Sequence, residues 1–236
     1  MKKKKFSVGQ NINVKDGEWT FEKIEKKFEK HINTSVPFYD VGHNIILELS
    51  SFFLMNNSSC LDIGCSTGLL LNRIKQKLSH RKISFIGLDT EKGMIKESKK
   101  KNKDITFLNK DYLKYNSKKH DMIISYYTAQ FIQPKKRHLF FNKIYKDLNW
   151  GGALLLFEKI RAPDARFQDI YSLVYQDFKI DRGHNYSSIV AKSKSLKGVL
   201  EPFTDKGNIN LLKNAGFKDI CSVSQWMSFK GYLCIK

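Results

Sequence analysis

The sequence lacks any apolar run near the ~18 residues that a membrane-spanning helix needs, so no membrane association is expected. The opening Met1-Lys2-Lys3-Lys4-Lys5-Phe6 is charged with no apolar stretch behind it, which argues against a secretory signal. Cysteine is scarce: Cys60, Cys65, Cys221 and Cys234 form no C-x-x-C pair and have no histidine at ligand spacing. A zinc site is therefore not expected, no metal is called for, and four thiols fit a reducing, cytoplasmic setting better than a disulfide scaffold. The histidines His31, His43, His80, His120, His138 and His184 are scattered, with no order resembling a Ser/His/Asp or Cys/His nucleophile. There is no G-x-x-x-x-G-K-[ST] run, which removes support for a P-loop nucleotidase. Internal repeats and low-complexity linkers are also missing.

Acidic residues are few. Asp and Glu number 23 against 42 Lys and Arg, a formal charge of +19 carried almost wholly by lysine. Basic clusters occur at Lys2 to Lys5, Lys99 to Lys103, Lys118-Lys119 and Lys135-Lys136-Arg137. None is interleaved with aromatics as a single-strand-binding surface would be. A compositional bias toward solvent-facing lysine is the preferred reading; nucleic acid, including tRNA, stays open as a partner class.

What is present is enough for a buried core: 41% of residues are hydrophobic and 13% aromatic in 236 residues, the size of one domain. Residues 1–18 read as a flexible basic arm and 19–236 as a single domain. Phe21, Ile24, Phe28 and Ile32 recur at helical steps from Trp19 to Pro37, and Ile45 to Phe53 predicts a second helix. The period then shifts. Cys60–Ile63, Ile83–Leu88, Ile105–Leu108, Met122–Tyr126 and Ala153–Phe157 read as short strands, with helices at 69–74, 91–100 and 137–148 between them; Gly151-Gly152 is expected to break the last. Residues 161–204 predict a helical insertion. A helix over 209–215 and a hairpin of 220–226 with 232–235 follow. Trp19 and Trp226 are expected in the core and Trp150 packed at a helix end. Alternating short strands and helices mean a mostly parallel sheet covered on both faces, closed by an antiparallel hairpin.

The stretch that carries chemistry is Asp62-Ile63-Gly64-Cys65-Ser66-Thr67-Gly68, a strand, tight turn and helix start. Gly64 lets the chain turn and a ligand approach the backbone, and Gly68 lets the helix begin against the sheet. Asp89 lies 21 residues beyond Gly68 at the end of the next strand, where an acid receives ribose hydroxyls. It alternatively caps the following helix. Asp111 after the third strand is either an acceptor for an adenine amino group, with Tyr112 packed nearby, or a turn residue. A carboxylate inside the turn, Asp62, disfavours a pyrophosphate and favours a cation. A ligand with adenosine at one end and cationic groups at the other is S-adenosylmethionine.

On these residues the chain resembles a class I S-adenosylmethionine-dependent methyltransferase with a Rossmann-like α/β sheet. More narrowly it resembles the CmoA family, carboxy-S-adenosylmethionine synthases that feed tRNA wobble-uridine modification. The likeness is carried by Trp19-Thr20-Phe21, Ser35-Val36-Pro37 with Tyr39, Thr128-Ala129-Gln130-Phe131, Glu158-Lys159, Asp177-Phe178-Lys179 and Ala215-Gly216-Phe217. It implies N-terminal helices, a homodimer through the late helices, and a cofactor pocket of Tyr39, Asp62, Gly64, Cys65, Ser66, Gly68, Asp89, Thr90, Asp111, Tyr112 and Tyr126. S-adenosylmethionine, S-adenosylhomocysteine or carboxy-S-adenosylmethionine would occupy it. Two departures stand out. Tyr126 replaces the family's asparagine, and Ser193 stands where the family holds the added carboxylate with an arginine. Lys194 is the nearest replacement charge, with Arg161 or Arg166 further off; a point charge lacks the guanidinium fork.

Three functions follow. The first is methyl transfer to an acceptor the sequence does not name, with Glu158, Tyr126 and Tyr127 as candidate catalytic residues and Gln130, Ser193 and Lys194 toward the substrate. Glu158 serves equally as an ion-pair partner of Lys159. The second is carboxy-S-adenosylmethionine synthesis from S-adenosylmethionine and prephenate with an altered carboxylate clamp. The third is non-catalytic binding of S-adenosylmethionine or RNA.

Overall fold

The computed structural model describes residues 6–7, 13–14, 19–22 and 24–236. Most of the expected N-terminal arm lies outside the described residues. Within it, β1 (Phe6–Ser7) and β2 (Asn13–Val14) pair antiparallel where no strand was expected.

The sheet has seven strands: β3 (Ser59–Ile63), β4 (Ser84–Asp89), β5 (Thr106–Asn109), β6 (His120–Tyr126), β7 (Leu148–Lys159), β8 (Asp219–Trp226) and β9 (Phe229–Ile235). Their spatial order is β5-β4-β3-β6-β7-β9-β8. β3 to β7 run parallel, and β9 is antiparallel to both β7 and β8. The expected parallel sheet with its terminal hairpin is the observed one.

Each central strand is apolar on both faces because helices cover both. Side chains alternate across a strand. Ile124 and Leu155 accordingly join Ile46, Leu71 and Ile74 on one side. Their neighbours Ile123 and Leu154 join Phe140, Phe141, Ile144 and Leu212 on the other. The first face is covered by α2 (Tyr39–Phe53), α3 (Leu69–Lys77) and α4 (Lys92–Lys101), the second by α5 (Arg137–Asp147) and α8 (Asp205–Ala215). Between β7 and α8 lies the expected helical insertion, α6 (Ala165–Ile180) and α7 (Tyr186–Ser195). Its starts are capped. Asp164 accepts the N–H groups of Arg166 and Phe167, and Asn185 accepts that of Ser188.

Three local expectations are corrected. Helix α1 spans only Phe28–Ser35. The apolar residues before it pack as a folded loop instead, with Trp19, Ile24 and Phe28 against Met94 and Ala191, and the Thr20 hydroxyl takes the Glu22 N–H. Gly151-Gly152 does not precede β7 but lies within it: Gly151 donates to Lys236 O and Gly152 O accepts from Lys236 N, which ties the C-terminus to the strand. Trp150 is 86% exposed rather than packed at a helix end.

The chain runs outward from β3 to β4 and β5, then returns to β6 on the other side of β3. Ligands in such sheets sit beyond the carboxyl ends of the strands at this reversal. The ends of β3, β4, β6 and β7 therefore define where to look.

Candidate active site

At the carboxyl end of β3, the Gly64 and Cys65 N–H groups both donate to Leu88 O, at 2.7 and 2.9 Å, fastening the turn to β4. Gly64 has φ +79°, and a Cβ there would strike the Thr128 side chain. Ser66, at φ 48°, donates its N–H to one oxygen of Asp89 at 2.9 Å. The other oxygen takes the Glu91 N–H at 2.8 Å. Asp89 thus ties the turn after β3 to the chain leading into α4, and α4 itself starts without a side-chain cap. Burial raises its carboxyl pKa, and the donated N–H groups of Glu91, Ser66 and Thr90 oppose that shift.

These groups open into one cavity of ≈ 450 Å³. Tyr39, Gly64, Ser66, Asp89, Thr90, Tyr112, Tyr126, Tyr127 and Gln130 all line it, as the sequence expectations placed them. Asp62 and Cys65 instead face a small adjoining cleft of ≈ 20 Å³, with Glu29, His43 and Tyr39. Asp62 makes no ion pair among the described residues, and burial, with Asp89 adding, pushes its carboxyl up to about 8. A buried acid without a cation fits a ligand that brings one.

Tyr126 closes this side. Its hydroxyl donates to Tyr39 O, and its ring lies 4.9 Å from that of Tyr39 and 4.8 Å from that of His43. Gly42 makes the approach possible, because a Cβ there would overlap the Tyr126 hydroxyl. The departure from asparagine thus replaces a polar contact with an aromatic wall.

Several expected site residues are placed elsewhere. Gly68, at φ +75°, abuts the Phe107 ring, so it serves helix–sheet packing rather than the cavity wall. Asp111 caps a single 3-10 turn through the Leu113 N–H at 2.9 Å, while its neighbour Lys110 lines the cavity. Glu158 is buried behind the cavity, its pKa raised to about 8 by burial against the opposing Arg137 charge and the N–H groups of Ala129 and Gln130. It is not positioned to take a proton from a ligand. Ser193, Lys194, Arg161 and Arg166 are exposed and do not line the cavity.

The charge at the far end comes from two lysines beside other candidates in the sequence, Lys159 after Glu158 and Lys192 before Ser193. Lys159, at the end of β7, and Lys192, on α7, both line the cavity. The Lys192 ammonium lies 2.8 Å from His31 Nε2 and donates to Ser35 Oγ at 2.8 Å. Lys159 Nζ sits 4.5 Å above the Tyr175 ring and Lys179 Nζ 4.2 Å from the same ring. Burial, then the charges of Lys179 and Arg161, hold Lys159 down to about 7; burial, then Lys179 and Lys159, hold Lys192 to about 7; burial holds Lys179 to about 8. Gln130 positions this end: its side-chain oxygen accepts the Lys159 N–H at 2.8 Å. Trp19 and His31, given structural readings from sequence, also form wall.

Comparisons with known proteins agree with this site. A family profile described as a methyltransferase domain matches residues 60–152. A carboxy-S-adenosyl-L-methionine synthase of Staphylococcus epidermidis is 34% identical over 229 residues, covering 95% of this chain and 100% of the relative. One of Nautilia profundicola is 34% identical, covering 91% and 93%. Among solved structures, a putative S-adenosylmethionine-dependent methyltransferase from Methanococcus maripaludis overlays with TM-score 0.60 at 18% identity, covering 94% of this chain and 97% of that one. Human N-acetylserotonin methyltransferase, solved with S-adenosylmethionine, gives TM-score 0.59 at 17% identity over 90% and 57%. These two show the shared fold. The domain is that of a transferase dependent on S-adenosylmethionine. By identity over nearly its whole length, the chain belongs to the carboxy-S-adenosyl-L-methionine synthase family.

Proposed function

We propose that this protein makes carboxy-S-adenosylmethionine, with S-adenosylmethionine at the Asp89 end of the cavity and an anionic carboxyl donor, prephenate, at the lysine end. When bound, S-adenosylmethionine supplies an activated methyl group on a sulfonium. Asp89 and Thr90 face its ribose, Tyr112 its adenine, and Asp62 its cationic end.

The observation that carries the reading is the polarity of one continuous cavity. The carboxylates in its wall, Asp89 and Glu91, flank the end of β4 with Lys110 beside them, whereas Lys159 and Lys192 come from the end of β7 and from α7, near Tyr175. A neutral methyl acceptor would leave these two buried lysines without a carboxylate partner, and burial alone disfavours their charged form. A carboxylate donor gives them partners. The late-segment arginine is not required to make this end positive. The test is the mass of the adenosyl species carried by gently denatured, freshly purified protein. A species one CO₂ heavier than S-adenosylmethionine supports the synthase; S-adenosylhomocysteine alone favours ordinary methyl transfer.

The buried turn acid adds a pH dependence. In the free protein Asp62 keeps its proton up to about pH 8. A cationic ligand lowers that value, so binding near neutral pH expels a proton and affinity rises as pH climbs toward 8. Calorimetry in buffers of differing ionisation heat should detect proton release, and Asp62→Asn should abolish it.

The protein is proposed to act as a homodimer through its insertion. Phe167, Ile170 and Leu173 repeat every third residue along α6 and are 46%, 53% and 62% exposed, with Tyr186 and Val190 of α7 exposed nearby. A contiguous apolar face of this kind marks a contact site, and its helical spacing suits a second copy of the same face. An Ile170→Asp/Leu173→Asp variant is expected to run as a monomer in light scattering where the parent runs as a dimer.

A further inference from the structure

We propose that Lys159 and Lys192 together form a two-point seat for a dicarboxylate donor. The inference rests on the proposed synthase activity and names the residues that would confer its substrate specificity.

The geometry is continuous. Lys192 Nζ donates to Ser35 Oγ, the Ser35 carbonyl accepts the Tyr175 hydroxyl at 2.6 Å, and the Tyr175 ring lies beneath Lys159 Nζ. Tyr175 and Ser35 therefore stand between the two ammonium groups and set their separation. Aromatic rings back both: Trp19 lies 5.0 Å from Lys192 Nζ, and Phe229 lies 5.7 Å from Lys159 Nζ. These faces attract cations but leave their outward N–H groups open to the cavity. Lys179 reinforces the field from the far side of Tyr175. Around this end, α1 contributes His31, α6 Lys179, α7 Lys192 and β7 Lys159, while His184 adds its imidazole to Thr34 at 3.2 Å. None of the three lysines makes an ion pair among the described residues.

His31 sharpens the assignment. Its Nε2 faces the Lys192 ammonium, so it accepts there and carries its proton on Nδ1, which is buried and has no hydrogen-bond partner among the described residues. Burial, then the Lys192 charge, hold its pKa down to about 3. It remains a neutral acceptor that steers one Lys192 N–H and leaves the others for a ligand.

The test compares Lys159→Met and Lys192→Met with the parent. Like charges clustered without counter-ions destabilise the free protein, so each substitution should leave its Tm unchanged or raise it. A lysine with a merely structural role would lower Tm. Prephenate should raise the Tm of the parent, and succinate should do so more weakly. Each single variant should lose at least tenfold in prephenate affinity, and the double variant should show no shift. S-adenosylhomocysteine affinity should stay within a few-fold throughout. Carboxy-S-adenosylmethionine formation with prephenate KM unaltered in both variants would overturn the seat and leave the synthase standing. A parent stabilised by prephenate in a lysine-dependent way that forms no carboxylated product would keep the seat and overturn the synthase.

Discussion

Replacing Asp89 with alanine should weaken binding of S-adenosylhomocysteine by well over tenfold, the scale of the ~1.5–3 kcal/mol lost with a charged hydrogen bond. The effect should exceed that of an ordinary ligand contact because Asp89 works twice. Its two oxygens accept the N–H groups of Ser66 and Glu91, which tie the turn after β3 to the chain leading into α4. Alanine leaves both N–H groups without acceptors and frees the turn. Asparagine is not a gentle substitute, since its NH₂ must face one of the same two donors. Binding by calorimetry, with circular dichroism confirming the fold, checks the outcome. Unchanged affinity in a folded variant would remove Asp89 from the site.

The second large effect should come from Gly64→Ala. At φ +79° a side chain costs ~1–2 kcal/mol, and the added carbon meets the Thr128 side chain, which adds overpacking of ~1–3 kcal/mol. Relief would have to come from moving Thr128 or tilting the turn. Either change shifts the N–H groups that bond Leu88 O. The variant should melt several degrees lower, at ~2–4 °C per kcal/mol for a chain this size. It should also lose most affinity for the adenosyl ligand. Gly64→Ala combined with Thr128→Ala should recover part of the melting temperature, because the clash has been removed while the strained φ remains. Failure to recover any would place the cost wholly in the backbone.

The parts of the fold and site that could be read from sequence share one property: their signal is local. Cys60 to Gly68 combines a buried strand with a glycine turn, and Asp89 follows at the end of the next strand, so both neighbours in space are neighbours in pattern. The parallel strands were legible because burial on both faces makes them continuously apolar. Trp19 and Phe21 misled because helical spacing also occurs in a loop that packs against Met94 and Ala191. Asp111 takes the second of its two readings, a turn residue that accepts the Leu113 N–H, while its neighbour Lys110 lines the cavity.

Lys159 and Lys192 were hidden for a different reason. In a chain with a charge of +19 most lysines are solvated, and nothing local separates a buried one from the rest. Their place depends on α6 and α7 folding back over the end of β7, which brings together positions more than thirty residues apart. Lys192 was visible only as a flank of Ser193, and the signal at Lys159 was its pairing with Glu158 at a strand end. It pointed to Glu158, which turned out to face Arg137 and the Ala129–Gln130 backbone.

The most direct trial of a cavity acidic at one end and cationic at the other is a single turnover with both proposed ligands. Ligand-stripped protein is mixed with S-adenosylmethionine and prephenate, and the adenosyl fraction is weighed by mass spectrometry. Carboxy-S-adenosylmethionine should accumulate, and should fail to do so when prephenate is omitted. Recovery of S-adenosylmethionine unchanged, from protein shown to bind both compounds, would contradict the account.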